Sequence, residues 1–259
     1  MSSLFSLDGR VALITGASRG LGCEIARAMA VAGASVVVNS RDPEEVDRRV
    51  QELRAAGFRA EGAPFDVASH ADVVAAIDGI VERHGHLDIV VANVGQRLRV
   101  PFTDMTLEQF EDLVRVNLVA TWDLAHEAVR VMLPRREGRL IFMGTTAATR
   151  ATPGSAAYAP TKAGVEALAR SLATEYGALG ITANVLAPGG FLTEHNSAGP
   201  STPGFLANVP AGRWGEPGEV AGTAVFLASD AASFVNGTTT FVDGGWMASS
   251  YVGPPPPVR

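Results

Sequence analysis

One cysteine, Cys23, stands in the 259-residue chain. A lone thiol cannot close an intrachain disulfide or supply a cysteine metal cluster. Placed on a predicted helix just after a glycine-rich turn, it reads as small buried filler. Histidines number five, and none belongs to a clustered His/carboxylate motif. The His126-Glu127 pair lacks the rest of a zinc-hydrolase pattern, so a catalytic metal is not expected. No charge-free apolar run is long enough to span a bilayer. Met1 to Gly9 lacks a basic segment followed by an apolar one, which argues against a secretory signal and for a cytoplasmic location. A basic excess is also missing: 21 Lys and Arg stand against 27 Asp and Glu, a net charge of -6. General attraction for nucleic acid or an anionic membrane is thereby excluded.

Charged residues make up only 19% and hydrophobic ones 47%, so global disorder is excluded and a sizeable core can form. The length fits one large α/β domain. No interdomain linker or tandem repeat interrupts it, and residues 1–252 are read as one unit. The proline run of Gly253 to Pro257 makes residues 253–259 an extended or disordered tail.

Apolar β-branched runs alternate with helical patterns along the chain. Strands are predicted at Val11–Thr15, Ser35–Asn39, Arg59–Pro64, Leu87–Ala92, Arg139–Met143, Ile181–Ala187 and Thr238–Val242. Helices are predicted at Leu21–Ala32, from Asp42-Pro43 to about Ala56, at Val73–Arg83, Ala157–Tyr176 and Glu219–Leu227. A further helix runs from Leu107 to Leu133 with little interruption until Pro134. Short strands separated by helices argue for a doubly wound, Rossmann-type α/β domain with a mainly parallel seven-stranded sheet. Pro188 to Pro217, rich in Gly and Pro, reads as a loop with short helices.

The first strand ends directly in Thr15-Gly16-Ala17-Ser18-Arg19-Gly20-Leu21-Gly22. Gly16 allows a sharp turn, and Gly20 and Gly22 allow backbone to approach phosphate and helix to approach sheet. The following helix start offers unpaired N–H groups to a pyrophosphate. The spacing is G-x-x-x-G-x-G rather than G-x-G-x-x-G, but its place between strand and helix points to a dinucleotide site. An acidic residue at the end of the second strand would favour NAD(H). Here Asn39 is followed by Ser40 and Arg41. Asn39 does not repel a 2′-phosphate, Arg41 can offer it a guanidinium fork, and Arg19 adds a second cation. NADP(H) is therefore the preferred cofactor, with NAD(H) as the alternative. Asp66, beside Val67, can accept from an adenine amino group or simply cap a turn.

These glycines, together with Asn93-Val94-Gly95, Asn117, Thr145, Tyr158-Ala-Pro-Thr-Lys162, Pro188-Gly189 with Thr193, and Phe241-Val-Asp-Gly-Gly245, make the sequence resemble the short-chain dehydrogenase/reductase family. The likeness covers nearly the whole chain and extends to the family's gluconate-type sugar-acid dehydrogenases and 3-oxoacyl-thioester reductases. It implies a homotetramer, less often a homodimer, with the helices Leu107–Leu133 and Ala157–Tyr176 as dimer faces. A second interface is expected near the last strand. It implies that Tyr158 exchanges a proton with the substrate oxygen. Lys162 would bind the nicotinamide ribose and lower the tyrosine pKa, and Asn117 would support a water linked to that lysine. Thr193 would contact the nicotinamide carboxamide. Thr145 falls where the family has serine, thirteen residues before the tyrosine, and keeps the hydroxyl while adding a methyl. Asn93 is the second of two asparagines usual in the family, the first being replaced by Ala92, and is expected to serve local structure.

The chemistry is physically sensible in its own right. Tyr158 and Lys162, four apart, share one helix face. A phenol with a pKa near 10 is a poor base at neutral pH, and a nearby ammonium favours the phenolate. A hydroxyl at Thr145 can stabilise charge developing on the substrate oxygen.

The substrate is read as a small alcohol or carbonyl compound. Arg97, Arg99 and Arg150 leave strand ends on the ligand side and could meet an anionic sugar acid or hydroxy/keto acid, or could simply be solvated. A lid after Pro188-Gly189 would bring Phe191, Glu194 and His195 over it, with Glu194 facing outward or paired with an arginine. A neutral carbonyl or 3-oxoacyl thioester is the alternative substrate. A catalytically silent dinucleotide-binding sensor or assembly module is the rival of another class. It explains the glycine turn but not the joint presence of Tyr158, Lys162 and Asn117.

Overall fold

The computed structural model describes residues 4–98, 100–151, 153–194 and 206–249. Seven strands form one sheet: β1 (Val11–Ile14), β2 (Ser35–Val38), β3 (Ala60–Gly62), β4 (Ile89–Ala92), β5 (Gly138–Met143), β6 (Ile181–Pro188) and β7 (Thr239–Val242). Their order is β3-β2-β1-β4-β5-β6-β7, and every neighbouring pair is parallel. The crossover direction therefore reverses between β1 and β4. In such sheets ligands sit beyond the carboxyl ends of the strands at this switch point.

Alternate residues of each strand feed two separate cores. Ala12, Ile14, Val36, Val38, Ile89 and Val91 pack on one face against α1 (Gly20–Val31), α2 (Pro43–Ala55) and α7 (Gly218–Ala228). Val11, Leu13, Val37, Val90, Leu140 and Phe142 pack on the other against α3 (His70–His84), α5 (Ala120–Met132) and α6 (Tyr158–Tyr176). Ile25, Met29, Ile77 and Ile80 are wholly buried, and each such side chain contributes about 1.5–3 kcal/mol of apolar transfer. Cys23 is buried with them.

Local signals set the helix ends. Asp42 accepts from the N–H of Glu44 (3.0 Å) and Glu45 (3.3 Å), with Pro43 opening α2. Ser69 caps α3, which starts at His70, three residues before the expected Val73. The larger departure is in the long helix. It comprises α4 (Leu107–Val114), a π-helical turn (Arg115–Val119) and then α5. The extra residue of a π turn changes which side chains face inward, a feature often found at functional sites.

Candidate active site

The glycine turn is built as a cradle. Gly16 (φ +61°) and Gly20 (φ +59°) occupy the left-handed region that favours glycine. At Gly22, a Cβ would stand 2.5 Å from both Asn93 Nδ2 and the Gly16 carbonyl, so only glycine lets α1 start this close to the turn. Asn93 holds the arrangement by donating from Nδ2 to the carbonyls of Thr15 (3.0 Å) and Gly16 (3.1 Å). This is the local structural role expected for it. Arg19, at the N-cap of α1, makes no side-chain cap and is exposed, and the first N–H groups of a helix have no partner within it.

Around this cradle the polar residues divide. Asn39 is buried, with Nδ2 donating to the carbonyls of Ala63 and Phe65, both at 3.0 Å. Its task is to fix the end of β2. Arg41 is exposed two residues further on. Ser18 is buried, with its hydroxyl donating to Glu45 (2.8 Å). Its carbonyl accepts from Arg49 Nε (3.3 Å) and Nη2 (3.0 Å). Arg49 was not singled out in the sequence, because it arrives from the middle of α2. Asp66 uses Oδ1 in a turn, accepting from the N–H of Ala68 (2.9 Å), and Val67 is buried behind it. The turn role is the one seen for Asp66.

The second half of the site gathers where α6 begins. The Lys162 amine is buried and donates to the carbonyl of Met143, at the end of β5, at 2.8 Å. Burial lowers its pKa to about 8. Gly95 leaves room for it, since a Cβ there would lie 3.1 Å from Nζ. Asn117, wholly buried in the π turn, accepts from the Gln96 N–H (2.7 Å) and donates to the Gln96 carbonyl (2.9 Å) and to Thr161 Oγ1 (3.1 Å). Thr161 in turn donates to the Tyr158 carbonyl (2.7 Å). Asn117 thus clamps the loop after β4 to α6. Its side chain is committed to that clamp, and its carbonyl already accepts from Thr121 (2.9 Å). Gln96 and Thr161 were missed in the sequence, because neither carries a family-independent signal.

The Thr145 hydroxyl lies close enough to the Tyr158 phenol to lower its pKa. The Arg97 guanidinium lies over the Tyr158 ring, 5.5 Å from its centre. Burial holds the tyrosine pKa above its ordinary value, while Arg97 and the Thr145 hydroxyl pull it down. Arg97 is the cation lying against the ring of this tyrosine.

The remaining candidates separate in the same way. Arg150 does not enter the site: its guanidinium donates to the carbonyls of Trp246 and Ser249 (both 2.9 Å) and lies over the Trp246 ring. It fastens the loop after β5 to the C-terminal segment. Phe191 is buried in the core, bridged to Gly215, and is not part of a lid. Its aromatic ring gains more from burial than from exposure to solvent. Pro188 ends β6. The Gly189 N–H donates to the Val242 carbonyl (2.9 Å), and a Cβ at Gly189 would strike Asp243 at 2.7 Å. Thr193 is half-buried and Glu194 is exposed, as expected for an outward-facing carboxylate. Arg99, His195 and the tail 253–259 lie outside the described residues. Among the described residues no group of three or more His, Cys, Asp or Glu could hold a metal ion. No helix among them is long and apolar enough to cross a membrane.

Known proteins match nearly the whole chain. The family model described as enoyl-(acyl carrier protein) reductase matches residues 16–247. Gluconate 5-dehydrogenase of Gluconobacter oxydans (strain 621H) is 38% identical, over 95% of this chain and 98% of its own. The 3-oxoacyl-(acyl-carrier-protein) reductase of Escherichia coli (strain K12) is 36% identical, over 93% of this chain and 98% of its own. The crystal structure of a gluconate 5-dehydrogenase from Burkholderia cenocepacia J2315, in complex with NADP and tartrate, superimposes with a TM-score of 0.91 at 42% identity. It covers 96% of this chain and 99% of that one.

Proposed function

The chain belongs to the short-chain dehydrogenase/reductase family, and on that premise we propose that it is an NADP(H)-dependent oxidoreductase interconverting a secondary alcohol and a ketone on a small sugar acid or related hydroxy acid. The observation that carries the reading is the Arg97 guanidinium lying over the Tyr158 ring, with the Thr145 hydroxyl close enough to the phenol to lower its pKa. Two hydroxyls can meet one substrate oxygen there, with a cation beside them for a carboxylate.

A nicotinamide dinucleotide fits the residues present. The Gly16–Gly22 cradle, whose closest approach a Cβ at Gly22 would fill, leaves helix N–H groups for a pyrophosphate. Arg41 and Arg19, both exposed at the adenosine end with no acidic residue at position 39, favour a 2′-phosphate. The NADP named with the Burkholderia relative supports the same choice. When bound, the cofactor supplies or accepts the hydride.

The chain's own groups manage the proton. In reduction Tyr158 gives its proton to the carbonyl oxygen, and its raised pKa keeps that proton in place at neutral pH. In oxidation it takes the proton back, which requires neighbouring positive charge. Arg97 supplies part of that charge. Lys162, with a pKa near 8, is mostly cationic at pH 7 and is positioned by the Met143 carbonyl to hold a ribose hydroxyl. Asn117 and Thr161 keep Gly95, Gln96 and the start of α6 in register.

The anionic substrate is supported by Arg97 and by the sugar-acid names among the relatives. The tartrate named with one of them is itself a small hydroxy acid. The thioester reading rests on the acyl-carrier-protein reductase relative. Assembly as a homotetramer or homodimer is supported by Leu107, Val119 and Trp122, all at least half exposed along the α4–α5 rod, and by Phe102 in the turn just before it. Ala167 and Ser171 add a small-residue face on α6 that the chain itself leaves exposed.

The test is a screen of gluconate-type acids, small keto acids, cyclic ketones and acyl thioesters with NADPH or NADP and with NADH or NAD, followed by cofactor absorbance. The expected result is highest efficiency on a sugar acid with the phosphorylated cofactor. Preference for an acyl thioester would replace the substrate assignment. Cofactor binding without turnover on any class would favour the silent module.

A further inference from the structure

The glycine turn is held from two sides. On one, Asn93 donates to the carbonyls of Thr15 (3.0 Å) and Gly16 (3.1 Å). On the other, α2 grips Ser18, midway between Gly16 and Gly20, at two points. The Ser18 hydroxyl donates to Glu45 (2.8 Å), and its carbonyl accepts from both Nε (3.3 Å) and Nη2 (3.0 Å) of Arg49. Glu45 and Arg49 are one helical turn apart and share a face of α2.

Arg49 is committed to this place. It is partly buried, whereas Arg48 beside it is exposed. Its Nη1 pairs with Glu52 on the same helix. Its charge also reaches the buried Cys23 thiol in the first turn of α1, where burial raises the thiol pKa and Arg49 lowers it. The guanidinium thus stands where α2, the glycine turn and α1 meet.

The consequence falls on Arg19. In a trans peptide the C=O and N–H point in opposite directions. With the Ser18 carbonyl drawn to α2, the Arg19 N–H is turned away from that helix. On the other flank, the Arg19 carbonyl accepts from the Cys23 N–H (3.3 Å) as α1 begins. Both peptide planes around Arg19 are therefore fixed, at an extended backbone (φ −154°, ψ 172°). With them is fixed the direction in which its exposed side chain leaves the turn.

We infer that Arg49 is a positioning residue for cofactor choice: by holding the Ser18 carbonyl against α2, it fixes Arg19 in the direction from which its guanidinium meets a 2′-phosphate. The inference rests on the NADP(H) reading and adds the residue that sets the geometry. Arg49 is not itself the phosphate ligand, since Nε and Nη2 are turned to Ser18 and Nη1 to Glu52. Without the grip, Arg19 would have to be ordered as the ligand binds, which costs roughly two- to tenfold in affinity. The Gly16 half of the turn is held separately by Asn93 and keeps its shape, so NADH should lose little.

The test is a double-mutant cycle read by binding alone. NADPH and NADH are titrated calorimetrically into the full chain as wild type, Arg49→Met, Arg19→Ala and the double variant. Methionine keeps the apolar stem of Arg49 and removes its donors. Arg48→Met serves as a control for lost charge on α2. Arg49→Met should weaken NADPH roughly three- to tenfold and NADH less than about twofold. In the Arg19→Ala background its effect on NADPH should shrink to less than about twofold, because the group it positions is gone. Arg48→Met should leave both affinities unchanged. Equal NADPH losses from Arg49→Met in the two backgrounds overturn the inference, since Arg49 would then act by its charge or on the fold and not through Arg19. So does an unchanged NADPH affinity in Arg49→Met, an equal loss of NADPH and NADH, or an Arg48→Met loss as large as that of Arg49→Met. A wild type that binds NADPH no more tightly than NADH is a different failure: it removes the cofactor reading, and the inference with it.

Discussion

Replacing Lys162 by methionine should abolish catalysis and yet make the cofactor-free protein more stable at neutral pH. The amine is buried and its pKa falls from 10.5 to about 8. At about 1.36 kcal/mol per pH unit, that gap means keeping the charge inside costs about 3 kcal/mol at pH 7. The Met143 hydrogen bond at 2.8 Å returns about 1 kcal/mol, so a net gain of about 2 kcal/mol is expected for Lys162→Met. The sign with pH is definite. Between about 8 and 10.5 the unfolded lysine binds a proton that the folded one has lost, so wild-type stability rises with pH in that window. Between pH 7 and pH 9.5 the wild type should recover about 2 kcal/mol relative to Lys162→Met. Urea unfolding of both proteins at the two pH values, without cofactor, measures the difference. Other titrating groups are common to the two proteins and cancel to first order. A stability difference that stays constant across this range would refute the reasoning, since it would place the lysine charge in solvent.

Arg41→Ala should lower kcat/KM with NADPH by roughly tenfold and leave NADH nearly unchanged, because the lost contact is to the extra phosphate; equal losses with both cofactors would count against it. Arg97→Ala should lower efficiency on a sugar acid by roughly ten- to a hundredfold more than on a neutral analogue. It should also move the pH limb for alcohol oxidation upward, because Arg97 opposes the raised pKa of Tyr158; an unmoved limb would show that the guanidinium does not act on the phenol. Trp122→Glu, which sets a charge on the exposed α5 face, should shift the light-scattering mass from a multimer toward the monomer, whereas an unchanged multimer would place the interface elsewhere.

The sheet was legible because each strand is a short apolar run and each connection carries a helical period. Alternation within a strand, such as Val11 and Leu13 on one face and Ala12 and Ile14 on the other, cannot be read from residues that are all apolar. The glycine turn was legible because three glycines at fixed spacing do three steric jobs. The π turn was not, since a single extra residue in a helix leaves composition and capping unchanged and only rotates the side chains after it. Asn117 was therefore identified by resemblance, and its grip on Gln96 emerged only from the structure. The arginines show the same boundary. Arg97 and Arg150 look alike in sequence, each a few residues past a strand end. Arg97 reaches Tyr158, while Arg150 is drawn away by the carbonyls of Trp246 and Ser249, about a hundred residues later in the chain. Arg49 reached the glycine turn unannounced for the same reason, since its contact depends on how α2 packs rather than on its neighbours in sequence.

The central claim is that the phenol of Tyr158 carries the proton of an alcohol–ketone interconversion. Its most direct test is the turnover of Tyr158→Phe with NADPH and the best keto acid from the screen, alongside NADPH affinity measured by fluorescence. Removing the hydroxyl keeps the ring under Arg97 and takes away only the proton donor. The account predicts a fall in kcat of roughly a hundredfold or more, in the range of general acid catalysis, with cofactor affinity little changed. A kcat within a factor of a few of the wild type would contradict it and assign the proton to another group.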